Sequence, residues 1–161
     1  MRTYYSKTKE NLLRKICEKL SSGELTKDNP KDIMKALNIS RTKYYYHFKF
    51  KEDLVEALTF YIINITKFHI SNSINYMKVE ISNILSHFEN FELIRSFLHV
   101  FNEEDIKKSL YLRFKKDFRL KDSELMSLEK KISEMFLEIR YILNVSEYAF
   151  QNRSLPTRSI Y

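Results

Sequence analysis

Glycine occurs once and proline twice in 161 residues, and strict apolar–polar alternation is hard to find. Hairpins rely on such turn residues and strands on such alternation, so sheets have little support and an all-α chain is expected. Cysteine also occurs once, as Cys17. One thiol forms no internal disulfide and offers no cysteine pair to a metal, which suits a reducing cytosol and makes Cys17 a small packing residue. No apolar run approaches a membrane span, and the opening stretch MRTYYSKTKENLLRK is polar and charged, unlike a signal peptide. A soluble, cytoplasmic protein with no membrane partner is expected.

The histidines are scattered as well. His47, His69, His87 and His99 include no pair at i and i+4 and none near the cysteine, and no glycine-rich phosphate loop or nucleophile motif occurs. These absences argue against an enzyme: no catalytic residue, no metal ligand and no cofactor is nominated. His69, inside an apolar stripe, is expected to be a hydrogen-bonded core residue.

What the chain does have is positive charge in one place. Residues 1–51 hold 13 Lys and Arg against 5 Asp and Glu, a net of +8, whereas residues 52–161 are close to neutral. A head that meets a polyanion, joined to a body that does not, has this distribution. The division expected is a head at 1–51, a helical body at 52–150 and a loose tail at 151–161.

Within the head, TKENLLRKICEKLS at 8–21 puts Leu12, Leu13, Ile16 and Leu20 on one stripe and predicts an amphipathic helix, ended by Gly23. Asn29 before Pro30 marks a second helix start, with Asp32 in its first turn and Ile33, Ala36 and Leu37 as its apolar face. Asn38 is suited to a left-handed stop, and Ser40 caps a third helix two residues later. Helices joined this tightly cross steeply, which is helix-turn-helix geometry. In that third helix Tyr44 and Phe48 should face inward with Ile39, leaving Arg41, Thr42 and Tyr45 outward and Tyr46 near the rim.

The body repeats apolar residues at helical spacing. Leu54, Leu58, Tyr61, Ile65 and Phe68 form one stripe, broken near 71–73; Ile81, Leu85 and Phe88 form another; Phe91, Ile94, Leu98 and Phe101 follow, then Ile106, Leu110, Phe114 and Phe118. A helical bundle is expected. From Asp122 onward Leu125, Leu128, Ile132, Met135, Ile139 and Ile142 step by three and four, a seam that fits either the bundle interior or a second subunit. The aromatics Phe88, Phe91, Phe97, Phe101, Tyr111, Phe114 and Phe118 fit a core or a pocket wall. The basic run at 107–121 is expected to be a solvated face.

The stretch DIMKALNISRTKYYYHFKFKEDLVEAL resembles the DNA-binding head of TetR-type transcriptional repressors, with Ile33, Ile39, Ser40, Tyr45, His47, Phe48, Lys51 and Leu54 at matching positions. The likeness covers about residues 8–60. Asn38 stands where that family favours glycine, Tyr44 where it favours leucine, and Phe50 where it favours a small polar cap.

The resemblance implies a homodimer on double-stranded DNA, each copy placing its third helix in one half of a near-palindromic operator. It implies base contacts from Arg41, Thr42 and Lys43, and phosphate contacts from Tyr45, His47 and Lys51. Asn29 and Lys31 would touch the backbone at the second helix start, with Ser40 and Tyr46 at the same face and the Leu125 to Ile142 seam at the dimer interface. It further implies repression relieved by a small-molecule effector. The alternative is a DNA-binding dimer regulated by a protein partner, or one with no effector.

Overall fold

A computed structural model of the chain describes residues 5–71 and 73–154, with side chains described through residue 146. The described residues form eight helices and no strand: α1 (Lys7–Ser21), α2 (Pro30–Leu37), α3 (Arg41–His47), α4 (Lys51–Thr66), α5 (Ile74–Leu85), α6 (Phe88–Val100), α7 (Glu103–Asp117) and α8 (Asp122–Ser154). None of them is long and apolar enough to cross a membrane.

The first three helices start where side chains can satisfy free N–H groups. Ser6 accepts from the Lys9 amide, Asn29 from Asp32 at 2.9 Å and Ser40 from Lys43 at 3.1 Å. Each such cap contributes about 1 kcal/mol. Phe50 has no side chain able to cap α4, and the Asp53 carboxylate compensates by accepting the Phe50 N–H at 2.9 Å. The α1 stripe is buried as expected, and Cys17 with it; burial pushes its thiol up to about 12, which leaves it unreactive.

Helix ends are made without glycine after the first. Gly23 turns the chain at φ 79°, but Asn38 (φ 53°), Lys67 (φ 57°) and Arg119 (φ 48°) take the left-handed conformation at the ends of α2, α4 and α7. At each, the following amide reaches back five residues: Ile39 to the Met34 carbonyl, Phe68 to Ile63, Leu120 to Lys115. This closes the last turn and brings the next apolar side chain back onto the body.

α4 organises the core. Leu54, Val55, Ala57, Leu58, Thr59, Phe60, Tyr61 and Ile62 are all buried, so the helix is covered on nearly every side. α1 and α7 pack against it, α1 also rests on α6, and α5 packs on α8. One continuous set of buried side chains runs from Leu12 in α1 to Leu143 in α8, crossing the expected boundary at 51/52 without a break.

Several expectations for the body are corrected. Ile65 is 46% exposed and Phe88 74% exposed; α4 has nearly ended at the first, and the turn at Ser86–His87 resets the helical phase before the second. His69 lies beyond α4 on the surface, where its Nδ1 and amide both meet the Glu80 carboxylate, at 2.9 and 3.0 Å. Phe118 is 46% exposed at the end of α7. α8 continues through Ser154, past the expected start of the tail at 151; residues 155–161 lie outside the described residues.

The α8 seam faces inward: Ile132 and Met135 are buried, and Leu128, Ile139 and Ile142 pack against the same core. The chain itself covers Ile132 and Met135, whereas Leu125, Leu128, Ile139 and Ile142 keep part of their surface. Among the described residues the large apolar side chains that α8 exposes are Met126, Leu137, Tyr141 and Val145, which fall within about 100° of one face at 100° per residue.

Because Lys67 occupies a left-handed position on the surface, Lys67→Gly should stabilise the chain by about 0.5–1 kcal/mol after the entropy of the unfolded glycine is deducted. Thermal unfolding followed by circular dichroism should show a midpoint raised by roughly 2 °C. Lys67→Val should lower it.

Candidate nucleic-acid interface

α2 and α3 are separated by three residues, Asn38, Ile39 and Ser40. The left-handed Asn38 ends one helix and the Ser40 cap starts the next. This arrangement presents the start of α3 to solvent. Arg41, Thr42 and Lys43 are consecutive and all exposed there.

The three tyrosines divide by depth. Tyr44 is 3% exposed and packs on Phe48, ring centroids 5.6 Å apart, while Tyr46 is 77% exposed. Tyr45 is half-buried, edge-on to Tyr44 at 5.1 Å. Burial pushes the Tyr44 phenol up to about 12, so it stays neutral under the helix. Tyr44 and Phe48 thus anchor α3, and Tyr45 is the support between the anchor and the surface. The Arg41 guanidinium lies 5.1 Å from the Tyr45 ring centre, a cation–π contact that holds the long side chain near α3.

The other expected residues surround this centre. Asn29 and Lys31 are exposed at the start of α2, and Asn29 already spends its carbonyl oxygen on the Asp32 amide. Lys51, at the start of α4, pairs with Asp28 at 3.0 Å, an interaction that raises its pKa. His47 is partly buried at the end of α3, and Ser40 serves as the cap. Sequence reasoning did not single out Lys9, whose ammonium sits 5.4 Å from the Phe48 ring centre and near enough to influence His47. It comes from α1, so no local pattern around α3 points to it.

The exposed cations of the site can grip an anion. Among the described residues no group of three His, Cys, Asp or Glu could hold a metal ion.

His47 gives this surface a pH dependence. Burial, then the charges of Lys9 and Lys43, hold its pKa below the ordinary 6.5. A phosphate arriving among these cations favours the imidazolium, so the bound-state pKa lies above the free-state one and binding takes up a proton. Duplex affinity should therefore rise as pH falls from the bound-state pKa towards the free-state pKa, by at most tenfold per pH unit, and level off below it. Fluorescence anisotropy across that range measures the slope, and His47→Gln should flatten it.

No protein-family model, no curated protein and no solved structure matches the chain.

Proposed function

We propose that the chain is a sequence-specific DNA-binding transcriptional regulator, a dimeric repressor whose α2–turn–α3 unit acts as a helix-turn-helix. The observation that carries this reading is the start of α3, where Arg41, Thr42 and Lys43 stand exposed while Tyr44 and Phe48 fix the helix from beneath. A helix so held can enter a major groove with its first turn leading. Arg41 can bind guanine through two hydrogen bonds, Thr42 can contact a thymine methyl, and Lys43 adds attraction to phosphate. Tyr45, Tyr46, His47, Lys51, Asn29 and Lys31 form the surrounding ring that fixes register on the backbone.

The second copy belongs on the exposed face of α8, at Leu137 and Tyr141, because the inward stripe is occupied by the chain's own core. Two heads related by such a contact read the two halves of a near-palindrome. A small-molecule effector fits this architecture, because α4 joins the head to an apolar cavity in the body.

Selection from a randomised duplex pool in moderate salt should recover a palindromic site. Arg41→Ala should weaken that site by about 1–3 kcal/mol and relax the base it reads. A pool from which no sequence emerges, with binding that only fades as salt rises, would leave electrostatic attraction alone and sink the reading.

The dimer is tested separately. Both side chains are exposed, so the double variant Leu137→Glu, Tyr141→Glu should keep its helical content. It should sediment as a monomer at micromolar concentration and lose affinity for the palindrome much more than for a single half-site.

A further inference from the structure

Two cavities in the body share one wall residue. The inner one, of about 90 Å³, lies among α4, α5, α6, α7 and α8 and is lined by side chains such as Ile63, Ile84, Phe97, Leu110 and Ile139. Its two hydroxyls are already engaged with their own helix: Thr59 donates to the Val55 carbonyl and Thr66 to Ile62, both at 2.7 Å. Neither has a proton left to donate, so an anionic group placed here would lose its hydration without compensation. The lining favours hydrocarbon.

The outer cavity is larger, about 660 Å³, and mixed in character. Phe114, Phe118 and Leu128 supply an apolar floor, while Ser123, Ser127 and Lys131 supply a polar wall along α8. Lys131 is half-buried and makes no ion pair among the described residues. Glu124 lies on the same rim but two helical turns away, about 10 Å along the axis. Met135 lines both cavities. A methionine has three rotatable bonds and an unbranched end, so a rotamer change there can open one chamber to the other.

We infer that the body binds a single-chain carboxylate amphiphile, with its hydrocarbon tail passing Met135 into the inner chamber and its carboxylate held by Lys131 and the Ser127 hydroxyl. The inner chamber selects for the chain because its lining is apolar and offers an anion no donor. The half-buried ammonium selects for the anion because its attraction is less screened than that of a surface lysine. That this ligand is the effector rests on the regulator reading above; the site itself does not.

The test uses the full chain with sodium octanoate, sodium hexanoate and 1-octanol as probes in isothermal titration calorimetry. Octanoate should bind saturably at one site, and hexanoate about fifteenfold more weakly, since each methylene buried contributes about a factor of four. Lys131→Gln, at a partly exposed position, should weaken octanoate about tenfold and leave 1-octanol within twofold. With ¹³C-methyl methionine, octanoate should shift the Met135 and Met77 signals, whereas Met34 and Met126, which line neither cavity, should stay still.

Equal affinity for the two chain lengths, equal loss for acid and alcohol in the lysine variant, or an unmoved Met135 signal would each overturn the proposal. None of these readouts contains DNA. A chain that binds octanoate but selects no duplex keeps this site and loses the regulator reading; one that selects a palindrome and ignores octanoate does the reverse.

Discussion

The burial of α4 is the constraint on which the other arrangements depend. A helix with one apolar stripe can sit on a surface, but eight buried residues between Leu54 and Ile62 require cover on several sides at once. α1 and α7 supply it, α6 backs α1, and the remaining helices close around these. Removing any one of these layers would expose part of a helix that has no polar face to turn outward. The first three helices and the later ones therefore share one core, although charge divides the sequence sharply at about residue 51.

This sharing gives a physical route between the two ends of the molecule. α4 spans about 24 Å at 1.5 Å per residue. At its start Lys51 pairs with Asp28, beside the exposed turn of α3. Towards its end Ile62, Ile63 and Thr66 form part of the inner cavity wall. Midway, Arg113 of α7 reaches Glu56 at 3.4 Å and lies 4.8 Å from the Phe60 ring centre, linking the helix to the bundle by a charged and an aromatic contact on adjacent turns. A well-packed helix does not bend easily to relieve pressure at one end. Displacement at Ile63 is more readily carried as movement of the whole element, which is the kind of response a proposed effector site would need.

Legibility in the sequence followed the chemistry of each boundary. The starts of α2 and α3 were readable because Asn29 with Pro30, and Ser40, act through local hydrogen bonds that any observer of the sequence can anticipate. The ends of α4 and α7 were not, because Lys67 and Arg119 occupy left-handed positions for which nothing in their side chains advertises a preference; the turn is stabilised by the amide of the next residue and by the return of Phe68 or Leu120 to the body. That hidden punctuation left Ile65 and Phe118 exposed near helix ends, and the turn at Ser86–His87 did the same for Phe88. The α8 stripe had the right spacing, but spacing alone does not say whether the neighbour is the same chain. The packing of α5 and α7 on α8 shows that the chain itself covers Ile132 and Met135. Lys9 was invisible at the candidate site for a related reason: its proximity to His47 arises from the fold of α1 onto α3, not from any local pattern.

The crowding of Tyr44, Tyr45 and Tyr46 follows from the small size of α3. A seven-residue helix has too few backbone hydrogen bonds to persist by itself. It needs a large anchor, and Tyr44 with Phe48 supplies one by burying two rings one turn apart. The next residue on the helix must then span from core to solvent, a position suited to a ring with an apolar body and a polar tip. Tyr45 fills it, and its face is in turn available to the Arg41 guanidinium. Tyr46 lies beyond the reach of the core, and its exposure has no structural benefit that the packing reveals. Its ring stands edge-on to His47, centroids 5.0 Å apart, and a single exposed aromatic of this kind is ordinary at a protein surface.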